Sequence, residues 1–363
     1  PTASVITPLP AARTGAQLPD IIPDSTWWRM VTTMSEPGGY FRSENFVSNE
    51  MGLQRVIARL QTHASPGGVY LGVGPEQNFT YIAALEPRIA FIVDIRRQNL
   101  LQHLWYKAVF ELSPNRAAFL SRLFARPLSS LSMSVSADSL IAHLERAPRD
   151  SVLFARTLRE VEQQLVVTHR IPLDSADRRT LRYIDSVFYL SGPELNYSSG
   201  MGNADVNRAS RQMPSFADVA RATDSTGRNV GFLSSEEYYS RVRDRHRRNL
   251  IVPLVGNFAG PSTVRAVGSW LRERGATVDV FYTSNVEQYL FQQSDDWQRF
   301  YANTALLPLS TQARFIRSVP RGWAAARGGF LMTQLTSEIG VIVQGAARGE
   351  IRGYADVIRL SVP

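Results

Sequence analysis

Two glycines and an acidic residue between positions 69 and 94 have the types and spacing that bind a nucleotide. Gly72 and Gly74 lie at the end of a short apolar run at 69–73. Asp94 directly follows a second apolar run at 89–93. Glycines let the backbone approach a ligand closely, and the free N–H groups of a following helix can donate to it. An acidic residue about 20 positions further on can accept hydrogen bonds from ribose hydroxyls. The pattern predicts a nucleotide-binding βαβ unit.

Three glycine-rich motifs compete for this stretch. A P-loop needs GxxxxGK[ST], but the only lysine, Lys107, lies in no such motif. A dinucleotide fingerprint needs GxGxxG, and GVGPEQ has Gln77 at the third glycine position, which argues against NAD and FAD. The third motif, for S-adenosylmethionine, needs only a looser Gly-x-Gly turn and an acid ending the second strand. The stretch departs from this third motif less than from the other two.

The same residues also have purely structural interpretations. The two glycines could serve only a tight turn, and Asn78 could only cap the following helix. Asp94 could form a salt bridge with Arg96 or Arg97 instead of meeting a ligand. The sequence leaves these alternatives open.

Composition excludes several classes of function. The chain has 363 residues with 44% apolar content, enough for one large or two modest domains. It contains no cysteine, which excludes disulfides and thiolate chemistry. No apolar run is long enough to predict a transmembrane segment. A net charge of +8 over this length indicates nucleic-acid binding only weakly.

Strands alternate with helices, which predicts an α/β fold with a doubly wound, mostly parallel sheet of the Rossmann-like type. The pattern predicts helices after an N-cap at Ser48, after Asp94, and across 331–346. Besides the two strands of the βαβ unit, it predicts strands at 186–191, 250–255, 278–282 and 315–319. A helix between 261 and 275 completes a second βαβ unit.

The organisation predicted along the chain has three parts. Residues 1–26 are rich in Pro, Ala and Thr and indicate a flexible leader. Residues 27–320 form the main domain, with a largely helical insertion and long loop at about 113–245. Residues 321–363 form a C-terminal extension that packs on the same domain. We favour a cytoplasmic location, with export as the alternative because the chain begins with a leader that looks processed.

Polar residues follow the later strands, at the edge where open α/β sheets bind ligands. Asn257 and Phe258 follow the strand at 250–255. A second group follows the strand at 278–282. It comprises Ser284, Asn285, Glu287 and Tyr289. These residues are candidates for the substrate side of a site.

The segment GVGPEQNFTYIAALEPRIAFIVDIRRQNLLQHLWYKAVFEL resembles the cofactor motif of class I S-adenosylmethionine-dependent methyltransferases. It is more closely similar to an uncharacterised bacterial group of methyltransferase-like proteins. Further similar stretches are EPGGYFRSENFVSNE (36–50), NLIVPLVGNFAGPSTVRAVGSWL (249–271) and FYTSNVEQYLF (281–291). The resemblance covers most of residues 27–320.

This resemblance implies roles for individual residues. Gly72 and Gly74 would contact the cofactor backbone and Asp94 its ribose. The neighbouring turn and a segment folding over the cofactor would add further contacts, from Glu76, Gln77, Asn78, Tyr40, Ser43, Asn45 and Glu50. Two positions depart from the class, since Tyr70 replaces an acid and Glu76 replaces the third glycine; Glu76 or another polar group could replace the missing acid.

The leading hypothesis is a methyltransferase that uses S-adenosylmethionine and acts on an unidentified small-molecule or macromolecular acceptor. Glu50, Asn257 and Tyr289 are its candidate catalytic residues. The alternative is a non-catalytic Rossmann-like protein that binds a nucleotide or a partner, and an NAD-dependent oxidoreductase is less favoured. The five histidines have no metal-ligand spacing, so we predict no metal site.

Overall fold

A computed structural model describes residues 17–63, 67–128, 134–199, 213–320 and 332–363. The described chain contains a six-stranded sheet with the order β3-β2-β1-β4-β5-β6. Neighbouring strands are parallel from β3 to β5, and β6 is antiparallel to β5. The strands are β1 Val69–Gly72, β2 Ile89–Asp94, β3 Ile251–Val255, β4 Val278–Ser284, β5 Leu309–Pro320 and β6 Met332–Glu338. The predicted α/β class and mostly parallel sheet are confirmed, and the architecture is compatible with a Rossmann-like fold.

Helices connect and cover these strands. Helices α1 to α5 are Asp24–Met34, Ile57–His63, Gln77–Leu85, Arg97–Leu112 and Arg116–Phe124. Helices α6 to α10 are Ala137–Arg146, Ser151–Gln163, Ser175–Ser191, Phe216–Arg221 and Glu236–Arg247. Helices α11 to α15 are Thr263–Arg272, Val286–Leu290, Asp296–Ala305, Ile339–Ala347 and Tyr354–Arg359. None of those in the described ranges is long and apolar enough to cross a membrane.

The central strands form because their residues are apolar on both faces. Every residue of β1, β2 and β3 is buried, as expected for parallel strands covered by helices on both sides. The strand order reverses between β1 and β4, since β1 leads to β2 on one side and β4 lies on the other. Open α/β sheets bind ligands outside the carboxyl ends of the strands at such a point.

The predicted strand at 186–191 is wrong, because these residues are the end of α8. Asp174 caps this helix by accepting hydrogen bonds from the backbone N–H groups of Ala176 and Asp177. Its buried residues include Leu181, Ile184 and Phe188, which recur at helical spacing and pack into the core. This packing outweighs the strand preference of the aromatic and β-branched residues.

The helix predicted at 331–346 is correct only in its second half. Residues 332–338 form β6, and α14 begins at Ile339. Polar residues Gln334 and Thr336 point inward in β6, so the strand lacks the apolar alternation that would have revealed it. The predicted strand at 315–319 is confirmed as part of β5.

The other predicted elements are confirmed in position, with changes at their ends. The second βαβ unit consists of β3, α11 and β4. The helix expected after Ser48 begins only at Leu53, as a 3₁₀ turn that leads into α2. Ser48 is therefore not its N-cap; its hydroxyl accepts a hydrogen bond from the backbone N–H of Glu50 (3.1 Å).

The predicted leader and insertion lie partly outside the described residues, which omit 1–16, 129–133 and 200–212 of these two segments. Within residues 17–26, Ile22 is buried and its N–H donates to the carbonyl of Arg248 (3.0 Å). The described part of the insertion contains helices α5 to α10 and is largely helical, as predicted.

Lys107 lies in the core rather than on the surface. Its side chain is 2% exposed. The ammonium donates to the Glu111 carboxylate and to the carbonyl of His246 (both 2.6 Å), and it lies over the ring of Trp27. These contacts join α4 to α10 and α1.

Candidate functional site

A cavity of about 600 Å³ lies at the carboxyl ends of β1, β2, β3 and β4. The ends of these strands, helix α12 and residues 40–50 form its walls. We call residues 40–50 the cover segment. Most of the predicted site residues line the cavity: Tyr40, Ser43, Asn45, Glu50, Gly74, Gln77, Asp94, Asn257, Phe258, Ser284, Asn285 and Tyr289.

The glycine turn after β1 faces the cavity with Gly74, not with Gly72. Gly74 has a φ of +77°, which favours glycine, and it lines the cavity. Gly72 faces inward, where an added Cβ would lie 2.0 Å from the Asn78 side-chain oxygen. Asn78 accepts from the Tyr70 hydroxyl (2.8 Å) and donates to the carbonyls of Val73, Gly74 and Pro75. Gly72 and Asn78 thus hold the turn from behind the cavity wall.

Glu76 also lies behind the wall. Its carboxylate accepts from the backbone N–H of Ser48 (2.9 Å), and its second oxygen has no hydrogen-bond partner in the described structure. Burial, together with the nearby charge of Glu50, raises the pKa of Glu76 to about 7, although hydrogen bonds from backbone N–H groups oppose the shift. The carboxyl fixes the cover segment to the start of α3.

His103 supports the same turn from α4. Its Nε2 atom lies 2.9 Å from the carbonyl oxygen of Gly74. Burial lowers the pKa of His103 to about 4, so the imidazole is neutral at physiological pH. Across the described ranges, no group of three or more His, Asp or Glu side chains is arranged to hold a metal ion.

Asp94 ends β2 in the cavity and forms the salt bridge with Arg96 that the sequence left as an alternative. The Arg96 guanidinium donates to both carboxylate oxygens (3.0 and 2.8 Å). It also donates to the carbonyls of Ser43 (3.1 Å) and Glu44 in the cover segment. Arg96 therefore connects the predicted ribose-binding acid to the cover segment.

Glu50 is a buried carboxylate in the cavity wall, with 3% of its surface exposed. It accepts hydrogen bonds from the Tyr282 hydroxyl (2.7 Å), the Ser284 hydroxyl (2.5 Å) and the Gln334 amide (2.9 Å). Among the ion pairs of the described residues, none includes Glu50. Burial raises the pKa of Glu50 and these hydrogen bonds oppose the shift.

Two residues of the cavity have strained backbones. Asn45 has a φ of +47° and Ser284 has a φ of +50°. Residues other than glycine adopt this region at a cost of about 1 to 2 kcal/mol, and such residues concentrate at functional sites. At Ser284 this conformation accompanies the hydroxyl contact with Glu50.

Glu287 does not face the cavity, although the sequence groups it with the edge residues. Its carboxylate is fully buried and forms an ion pair with Arg317, with Nε 2.5 Å from Oε2. The Tyr301 hydroxyl donates to it as well (2.7 Å). Because α12 begins directly after β4, its first turn directs Glu287 inward and leaves Tyr289 to face the cavity.

Aromatic contacts join the cover segment to α12. The rings of Phe41 and Tyr289 meet edge to face, with centroids 5.3 Å apart. Arg42 lies over the Tyr289 ring at 5.8 Å. Tyr40 lines the cavity but is 86% exposed, which places it at the outer rim.

The loop after β3 forms another wall. Phe258 lines the cavity and also packs against Phe281 and Phe300. Glu36, just before the cover segment, accepts from the backbone N–H of Asn257 (3.2 Å) and from the first N–H of α11 (2.8 Å). This carboxylate complements the positive end of the helix dipole and anchors the start of the cover segment.

Several site residues were not predicted from the sequence. Tyr282 and Gln334 hold Glu50, and Tyr197 and Met213 line the cavity. The position of Tyr282 near the end of a predicted strand was the available signal for that residue. Gln334 lies in a stretch that was predicted as helix, so the sequence did not indicate that its side chain points toward Glu50.

Together these residues give the cavity a defined chemistry. The cavity is surrounded by a glycine turn and several side-chain amides. It also has two carboxylates, of which Asp94 is paired with an arginine and Glu50 is not paired with a cation. The arrangement suits a polar ligand with a hydroxyl-bearing part and a cationic part.

Comparison with known proteins gives a family but no activity. No curated protein matches the chain in sequence. Residues 45–171 and 203–340 match a family model described as "Domain of unknown function (DUF7790)". These ranges make up more than half of the chain and contain the glycine turn, Asp94 and the later walls of the cavity. The chain belongs to the DUF7790 family.

Proposed function

We propose that this protein binds S-adenosylmethionine in the cavity and transfers its methyl group to an unidentified acceptor. One observation carries the proposal: Gly74, Asp94 and the cover segment line one cavity at the switch point of the sheet. The resemblance to class I methyltransferases assigns these same three parts, which are separate in sequence, to the cofactor.

The residues present fit this cofactor. Gly74 and Gln77 would lie against its backbone, and Asp94 would accept hydrogen bonds from the ribose hydroxyls. The Gln77 amide group donates to the Tyr282 hydroxyl (3.2 Å), which fixes its side chain at the cavity wall.

A dinucleotide fits less well. Its pyrophosphate needs the positive N-terminal end of the helix after the glycine turn. Here the buried Glu76 lies at the N-cap position of α3, and Asn78 fills the turn with its own hydrogen bonds. Glu50 adds a second acid to the same region. These acids disfavour an anionic ligand and weaken the case for an NAD-dependent oxidoreductase.

S-adenosylmethionine supplies an electrophilic methyl group, so the protein's main contributions would be positioning and exclusion of water. The three candidate catalytic residues, Glu50, Asn257 and Tyr289, all line the cavity. The contact between Phe41 of the cover segment and Tyr289 of α12 joins two walls of the cavity, which helps to exclude water.

A second candidate is a non-catalytic Rossmann-like protein that binds a nucleotide or a partner. The Asp94–Arg96 salt bridge favours it, because both carboxylate oxygens already have a donor in this structure. A ribose would have to share these oxygens with Arg96 or displace it.

Isothermal titration calorimetry with S-adenosylmethionine and S-adenosylhomocysteine tests the proposal. We expect micromolar binding by the wild type and at least tenfold weaker binding by Asp94→Ala. Asp177→Ala is a matched control, since Asp177 pairs with Arg97 in the same two-bond geometry (2.9 and 2.7 Å) outside the cavity.

Failure of the folded wild type to bind either ligand would refute the proposal and support the non-catalytic candidate. If binding is observed, transfer of a labelled methyl group to separated protein, nucleic-acid and small-molecule fractions would identify the class of acceptor.

A further inference from the structure

Glu50 differs from Asp94 and Glu287 in having no cationic partner, and from the equally unpaired Glu76 in lining the cavity. Asp94 and Glu287 each bind a guanidinium, from Arg96 and Arg317 respectively. Glu50 is equally buried, yet in the described part of the chain its hydrogen bonds come from neutral groups only. Buried carboxylates are normally paired with a cation, because burial removes the water that stabilises the charge.

The neighbours of Glu50 fix both of its carboxylate oxygens at the cavity wall. Tyr282 and Ser284 donate to one oxygen and Gln334 donates to the other. Donors of this kind stabilise the ionised form of a carboxylate and fix its direction. Because Glu50 lines the cavity, a cationic group of a ligand could supply the missing partner.

A side-chain amide fixes the hydroxyl that holds Glu50. The Gln77 amide donates to the Tyr282 hydroxyl (3.2 Å), and that hydroxyl donates to Glu50. Gln77 lines the cavity too, so the same end of the cavity carries the carboxylate and the group that orients its donor. An ammonium group is the cation that a single carboxylate can bind through an N–H donor.

The strand order separates this end from Asp94. Asp94 ends β2, Glu50 is held by the end of β4, and β1 lies between the two strands. Two strand spacings are about 10 Å. A ligand with its ribose at Asp94 would therefore cross the glycine turn and present its far end to Glu50.

We propose that Glu50 binds the α-ammonium group at the amino-acid end of the cofactor. The inference rests on the proposed function and deepens it. The methyltransferase class has an acid at the position of Tyr70. Glu50 would replace that missing acid from the cover segment. Glu76, the other candidate for that role, lies behind the cavity wall.

The test compares S-adenosylhomocysteine with 5′-methylthioadenosine, which lacks the amino-acid part. Calorimetry on Glu50→Gln should show at least tenfold weaker binding of S-adenosylhomocysteine and less than twofold change for 5′-methylthioadenosine. Glu44→Gln is the control, because Glu44 is a cover-segment acid that binds Tyr183 and does not line the cavity. It should leave both affinities unchanged.

A wild-type measurement makes the test independent of how Glu50→Gln folds. The analogue of S-adenosylhomocysteine without its α-amino group should bind the wild type at least tenfold more weakly than S-adenosylhomocysteine. Equal binding of S-adenosylhomocysteine and this analogue by the wild type would overturn the inference. So would an equal loss of affinity for S-adenosylhomocysteine and 5′-methylthioadenosine in Glu50→Gln. Failure of the wild type to bind any of these ligands would instead refute the proposed function.

Discussion

Replacing Glu76 with glutamine should stabilise the protein at high pH and not at low pH. The folded protein raises the pKa of Glu76 to about 7, mainly through burial, from an ordinary value of 4.5. Between these two pH values the folded state binds a proton that the unfolded state has lost. The free energy of unfolding of the wild type therefore falls as the pH rises through this window.

The size of the effect follows from the shift. The difference of about 2.5 units between the two pKa values corresponds to about 3 kcal/mol, since each unit is worth 1.36 kcal/mol. Glutamine is neutral at every pH and keeps an oxygen for the Ser48 N–H. Glu76→Gln should therefore raise the free energy of unfolding by about 3 kcal/mol at pH 8 and by less than about 1 kcal/mol at pH 5.

Urea denaturation followed by tryptophan fluorescence at pH 5, 7 and 8 measures this difference. Glu273→Gln is the matched control, because the Glu273 side chain is exposed and should give no pH-dependent change. A loss of stability at pH 8, or an equal change at pH 5 and pH 8, would show that burial does not penalise the Glu76 charge as argued.

Three further predictions follow from other contacts. Glu287→Gln leaves the buried Arg317 charge uncompensated and should lower the free energy of unfolding by about 3 to 5 kcal/mol in urea titrations; a smaller loss in a Glu287→Leu, Arg317→Met double variant would identify that charge as the cause. Gly74→Ala places a side chain at a φ of +77° and should cost about 1 kcal/mol in the same assay, with weaker ligand binding; unchanged stability would contradict the strain. Arg96→Met removes the donor that holds the cover segment and should accelerate native-state trypsin cleavage after the exposed Arg42, measured by mass spectrometry; an unchanged cleavage rate would show that other contacts hold the segment.

The central strands could be predicted because their burial is visible in the sequence. The strands β1 to β3 are apolar runs up to their last residue, and β4 is apolar apart from Asp279 and its polar end. The order of glycine turn and acid located the ligand-binding edge. Residues 186–191 and 332–338 were assigned wrongly because tertiary packing decided them. In the first, helical packing overrode strand preference, and in the second, inward polar residues hid the strand.

The partners of the charged residues could not be predicted to the same extent. From the sequence, either Arg96 or Arg97 could pair with Asp94. In the structure the backbone direction at the start of α4 brings Arg96 to Asp94, and Arg97 pairs with Asp177 instead. Likewise, nothing local distinguishes Glu50 from Glu287. Their difference arises because Glu287 meets Arg317 from β5, whereas Glu50 meets neutral groups of β4 and β6.

The burial of Lys107 has a practical consequence for labelling experiments. It is the only lysine of the chain, so the protein has a single side-chain amine, and the fold encloses it between α4, α10 and α1. An amine-reactive reagent can modify it only when this region opens. The labelling rate of the peptide that contains Lys107 then reports the free energy of local opening around α4 without an introduced probe.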